Sequence, residues 1–382
     1  MPAPRGYFGN MIGVSHSVRH GGLVFAAVGL AAACGGGDRL PADPRVILQA
    51  YQIRGVADST FAVNDSLAAL VLVRARDCAP VGALRKMARD TAPGGPLLAR
   101  LQSDGLIAFR QGRACTTFPV LINARQAAYA ALTHAVAKQA LEPLAAGLLT
   151  LFRRLDARHW ADWRYHFVWS ELLDSPFARA ELLRRNLVPP LDQPLVWVVY
   201  PEHAFRSGTA YYPADATRDH WLVVTWRPGA TDTRAALGAS WELIYRAALD
   251  RGALSSEELM TLGHLGLLDA RAEVDLPILQ PGDSLLAVLH ESAVRYVEFL
   301  EQRMPIDSLM ALTGAGRRYT FAMAYRDVGW WILDELVRGG ELTVPPALTP
   351  GAPDDAPLRG VAALVPVYGP FADRLRAAVA GR

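Results

Sequence analysis

An α+β fold is predicted by three features of this 382-residue chain. Two near-continuous apolar runs, PLVWVVYP at 194–201 and HWLVVTWRP at 220–228, read as buried strands. Three helix-periodic segments follow, at 233–252, 284–303 and 319–340. Ahead of both, residues 78–122 alternate short helical and short extended stretches around glycine-rich breaks. Strands early and helices late place the elements in separate blocks, the α+β pattern.

Hydrophobic residues make up 51% and charged residues 20% of the chain, enough for a large core and about two domains behind an export segment. The net charge of +2 points away from a nucleic-acid or anionic-surface protein held by phosphate contacts. Lys86 and Lys138 are the only lysines, a usage attributable to genomic base composition.

At the N-terminus, Arg5, Arg19 and His20 precede the uncharged run GGLVFAAVGLAAA at 21–33, the layout of a secretory signal. The run is short of the roughly 20 apolar residues that a spanning helix needs. Its end, LAAAC at 30–34, resembles the lipobox of bacterial lipoproteins, with Ala31 where that family usually has leucine. The resemblance implies removal of residues 1–33, a diacylglycerol on Cys34, and anchorage to a membrane; with Gly35 following, it implies the outer membrane. An ordinary signal peptide that ends near a cysteine is the alternative. Residues 34–44 (CGGGDRLPADP) then form a flexible tether. In an oxidising compartment Cys78 and Cys115 are expected to pair, since neither lies in a C-x-x-C.

The first folded unit is expected over 45–123. CAPVGALRKMARD and GPLLARLQSDG read as two short helices around TAPGG, and LIAFRQ with ACTTFPVLI as a hairpin. This order is similar to a winged-helix module, with LLARLQSDGLIAF resembling its third helix running into the wing. Outside the cytoplasm the resemblance implies packing or protein contact and no nucleic-acid partner.

A second unit is expected over 124–340. It opens with a helix from Ala124 to about Arg158 and continues through HWADWRYHFVWSELLD. Residues 341–382 read as a Pro-rich linker and a short terminal helix.

Four stretches carry candidate chemistry. His159, Asp162 and His166 fall at i, i+3 and i+7, one face of a helix and within reach of one metal ion; the interleaved Trp160 and Trp163 make an aromatic packing surface the favoured reading of the same stretch. YPEHAFRSGTAYYP reads as a loop at a strand end, with Glu202, His203, Arg206 and Tyr211 as binding residues. QPGDSLL resembles the motif of GDSL serine esterases, but no histidine follows His290 to serve Ser284 as base, so Asp283 or Ser284 reads as a helix cap.

The last stretch joins two helices. LGASWELIYRAALDRG resembles the zinc helix of gluzincin metallopeptidases, with Trp241-Glu242-Leu243-Ile244-Tyr245 in place of H-E-x-x-H. LLAVLHESAVRYVEFLEQR resembles that family's second helix, with Glu291 at the third-ligand position and Tyr296 at the tyrosine. Trp241 has no acceptor lone pair and Tyr245 is a poor neutral ligand, so Glu242 would have no metal-bound water to deprotonate. The resemblance implies a zincin-like domain without zinc, cofactor or catalysis, whose cleft binds an envelope protein or peptide. The alternatives are a hydrolase recruiting metal through His166, His203, His264 or His290 with Glu291, and a purely structural or assembly lipoprotein.

Overall fold

A computed structural model describes residues 48–51, 66–88, 96–189, 195–199, 207–213, 217–227, 230–250, 253–353, 355–367 and 372–373. The export segment, the tether and Cys34 lie outside the described residues.

The small unit begins with α1 (Ser66–Ala75), which buries Ala68, Val71, Leu72 and Ala75 at i, i+3, i+4 and i+7. Strand β2 (Ala79–Pro80) leads into α2 (Val81–Ala88), which buries Leu84 and Ala88 one turn apart. Helix α3 (Pro96–Ser103) starts on a proline, whose missing N–H would be unpaired there in any case, and buries Leu98 and Leu101. Strands β3 (Ile107–Arg110) and β4 (Arg113–Thr116) form a hairpin. Its two turn residues, Gln111 and Gly112, both have positive φ, at 49° and 72°, the turn whose twist matches the strands. The sheet order is β2-β4-β3, all antiparallel. Cys78 and Cys115 form the expected disulfide, with Cα atoms 4.0 Å apart.

Strand β5 (Val120–Leu121) joins the two units. Val120 and Ile122 belong to the small unit's core and Leu121 to the large one, because alternate residues of an extended chain point to opposite sides.

The large unit opens with α4 (Asn123–Ala157), 35 residues and so about 52 Å long. A turn with His159 at φ 60° ends it. After a single 3-10 turn (Ala161–Trp163), α5 (Arg164–His166) widens into a π-helical stretch, Phe167–Leu173, in which every residue is buried. Helix α6 (Pro176–Arg184) is capped by Ser175, whose hydroxyl accepts from Ala178 N–H. Strand β6 (Leu195–Val199) lies between β1 (Leu48–Tyr51), antiparallel, and β5, parallel.

A second sheet of the large unit, order β7-β8-β9, pairs β7 (Gly208–Tyr212), β8 (His220–Trp226) and β9 (Ala362–Pro366) antiparallel. Helices α7 (Thr233–Ala239) and α8 (Trp241–Tyr245) follow β8, with a π turn at Arg246–Asp250. Helix α9 (Ser256–His264) has a reciprocal Ser255 and Glu258 capping box. Helices α10 (Ser284–Arg303), α11 (Ile306–Thr313) and α12 (Arg317–Arg338) complete the unit. Helix α4 packs on both α10 and α12. Residues Thr320–Trp330 of α12 are all buried, so this helix runs through the interior.

Helices with small sheets bear out the α+β class. Two expectations need correction. The loop expected at 200–213 contains strand β7. The region 341–382, expected as a Pro-rich linker and a short terminal helix, contains β9, whose five residues are all buried and which supplies β8 with its second neighbour. No helix among the described residues is long and apolar enough to cross a membrane.

Candidate functional site

The richest polar constellation lies where the π-helical stretch meets β7, β8 and α12. In an α-helix, positions five apart are separated by about 140° around the axis. The wider i→i+5 winding, seen in the Asp174 N–H to Trp169 carbonyl bond of 2.7 Å, brings His166 and Glu171 to one side. Their Nε2 and Oε1 atoms are 3.4 Å apart, and both side chains are 0% exposed. His166 Nδ1 shares a 2.8 Å hydrogen bond with Thr225 Oγ1 of β8, and Thr225 Oγ1 is 2.7 Å from Ser170 Oγ. Ser170 also reaches Thr209 Oγ1 of β7 at 3.2 Å. Among the described residues neither carboxylate oxygen of Glu171 has a hydrogen-bond partner, and the imidazole is its one charged-capable neighbour.

A second cluster closes the end of the π stretch. Asp174 bonds Arg179 at 2.8 Å and lies 3.2 Å from Arg326 Nη1, all within the interior or close to it. The Arg326 guanidinium lies over the Trp169 ring, 5.6 Å from its centre, and Trp169 stacks on Trp330. Gly329 eases this seat, since a Cβ there would sit 3.2 Å from the Trp169 ring and the ring would have to give by a few tenths of an ångström. Tyr325 donates to the Leu173 carbonyl, Tyr211 to the Asp174 carbonyl at 3.1 Å, and Trp330 Nε1–H to the Ser207 carbonyl at 2.9 Å. Tyr165, which shares a 2.8 Å bond with Ser207 Oγ, has its phenol pushed up to about 12 by burial. Burial also raises Tyr296 and Tyr325, and Tyr129, where the Asp327 carboxylate adds to the effect. These phenols are neutral hydrogen-bonding groups. The His166 and Glu171 side chains at its centre are shut off from water, while Arg179, Thr209 and Tyr211 at its margin are half-buried.

The expected site residues are dispersed. His159 is exposed in the reversing turn, Asp162 is exposed and bonds Arg359 at 2.8 Å, and His166 is buried against Thr225. The positive φ of His159 breaks the continuous helix that would have put the three on one face. Among the described residues no group of three His, Cys, Asp or Glu is placed to hold a metal. Glu202, His203 and Arg206 lie outside the described residues. Tyr211 sits on β7 with its ring 5.2 Å from that of Trp221.

Trp241 is half-buried, Glu242 exposed, and the Tyr245 ring lies under Arg218 at 5.4 Å. Glu291 is exposed and pairs with Arg295, four residues along α10, at 2.5 Å. His290 stacks on Phe177 and is exposed, as is His264. The GDSL-like string is a cap: Asp283 accepts from Leu285 N–H at 2.8 Å and takes a two-pronged bond from Arg158, which holds its carboxyl below the usual range.

Ser170, Glu171, Asp174, Thr225 and Arg326 were not among the expected site residues. Arg326 and Asp327 inside the apolar helix YTFAMAYRDVGWW were the one available signal, since charges in a buried helix need partners. Compared with protein-family models, with curated proteins and with solved structures, the chain matches none.

Proposed function

We propose that the chain is a lipid-anchored envelope protein of the outer membrane whose folded body binds a partner without catalysing a reaction. The carrying observation is the use of cysteine. The chain has three cysteines, and the bond between Cys78 and Cys115 takes two of them. Cys34 is left over at the end of a lipobox-like string, followed by a glycine-rich tether. A disulfide in a small unit also suits an exported protein.

The order α1, β2, α2, α3, β3, β4 with sheet order β2-β4-β3 supports the winged-helix-like reading of the small unit. The zincin-like reading of the large unit rests on the order of β8, α8 and α10 and on the sequence likeness of those helices. The partners of Tyr245 and Glu291 favour a body without a shared zinc site. The acid–base pair His166 and Glu171 is sealed from solvent, which favours binding over turnover.

Growth with a labelled fatty acid is the test. Wild type should carry label and sediment with membranes, and Cys34→Ser should do neither. Equal labelling of both proteins, or of neither, would overturn the reading.

A further inference from the structure

Glu171 is a buried carboxyl without a donor. Its side chain is 0% exposed, and among the described residues neither of its oxygens accepts a hydrogen bond. An ionised carboxylate held in that way is an uncompensated charge, which an interior tolerates with a cation beside it or a proton on it.

The π-helical stretch packs on α5, α6, α10, α12, β7 and β8. The charges on these elements nearest to it are paired with one another, Asp174 of the stretch with Arg179 of α6 and Arg326 of α12. Asp327 of α12 lies beside the Tyr129 phenol of α4. Burial raises the phenols of Tyr165, Tyr296 and Tyr325, the first to about 12, and Tyr211 of β7 donates to the Asp174 carbonyl. Strand β8 brings the Thr225 hydroxyl to His166, while its own His220 bonds the Leu279 carbonyl. The group left to serve Glu171 is the His166 imidazole, with Nε2 3.4 Å from Oε1. A ring carrying both protons donates through Nδ1 to Thr225 Oγ1 and presents its second N–H to the carboxylate. Thr225 then passes its own O–H to Ser170 Oγ at 2.7 Å. One added proton makes the pair neutral as a unit, whether it sits on the ring or on the carboxyl.

We infer that His166 and Glu171 form a one-proton latch, which holds the π-helical stretch closed while the proton is present and lets the stretch open as pH rises. With α-helical winding the two positions stand about 140° apart around the axis, so the pair meets in the widened turn and parts when that turn is lost. Opened to water above about pH 7, the imidazole is mostly neutral and the carboxylate ionised. The closed form therefore binds one proton more than the open form, and its stability falls with rising pH.

Amide hydrogen exchange of the full chain, followed from about pH 7 to about pH 9, is the test, each rate being divided by the intrinsic exchange rate at that pH. Opening linked to release of one proton grows about ten-fold per pH unit. Amides of 168–174, including the Asp174 N–H bonded to the Trp169 carbonyl, should lose protection at that slope. Amides in the buried face of α10, such as those of Ala293 and Leu300, should show no such slope. The raised phenols keep their protons through this range and add nothing to it. Glu171→Gln removes the anion and should flatten the slope in 168–174, as should His166→Gln, which removes the ring. A flat profile for 168–174 in wild type, an equal slope in α10, or a full slope in Glu171→Gln would overturn the inference. Should neither variant fold, the wild-type comparison of 168–174 with α10 decides it.

Discussion

Asp283 shows how one side chain decides between two readings of the same string. Its carboxylate accepts the Leu285 N–H and bonds Arg158 through both oxygens, so it closes the first turn of α10 and ties that helix to the end of α4. Asp283→Ala should destabilise the protein by about 1 kcal/mol or more for the lost cap, while exposed Ser284→Ala should stay within about 0.5 kcal/mol of wild type; urea unfolding of the two variants checks both. Glu181 makes a prediction in pH. Hydrogen bonds from Arg184 first, and then Arg185, draw its carboxyl down from 4.5 to about 2. A lowered carboxyl contributes stability above its unfolded value and loses it as pH falls through the folded one. The gap in stability between wild type and Glu181→Gln should therefore be full above about pH 4.5 and close between there and about pH 2, as read from melting temperatures across that range.

At the level of elements, the long amphipathic helices were legible. The apolar spacing of 284–303 coincides with α10, and the expected helix from Ala124 to about Arg158 is α4 to within a residue. Strand β7 was hidden because GTAYY sits among polar loop residues and gets its order from pairing with β8. The π-helical winding at Phe167–Leu173 leaves no periodic trace over seven residues, so the meeting of His166 and Glu171 could not be read from their spacing. Likewise nothing in the string around His159 announces a left-handed residue. Two predictions belong at this scale. A Cβ on Gly147 would overlap the Ser292 hydroxyl where α4 crosses α10, so Gly147→Ala should cost about 1 to 3 kcal/mol in denaturant unfolding. Replacing Cys78 and Cys115 with serine opens a link across 37 positions and should cost the small unit on the order of 3 to 4 kcal/mol, read as early loss of amide protection in 66–118.

For the molecule as a whole, the sequence located the cysteine pair, and it misjudged the C-terminal segment. Proline density made 341–360 look like a linker, yet Leu342, Ala347, Leu348 and Leu358 are buried in the large core and lead directly to β9. A chain ended after Gly360 should lose its cooperative melt, because β8 would present an unpaired edge inside the body; a retained sharp transition would show that β9 is dispensable.

The position of β6 also sets an order in time. Its two neighbours, β1 and β5, both precede it in the chain, and β5 ends 74 positions before β6 begins. As the chain emerges, neither earlier strand can pair until residues 195–199 have arrived and entered between them. The hairpin and disulfide of the small unit need only local sequence, so they can form first. Closure of the β1-β6-β5 sheet is then a late event of high contact order, and slow for that reason.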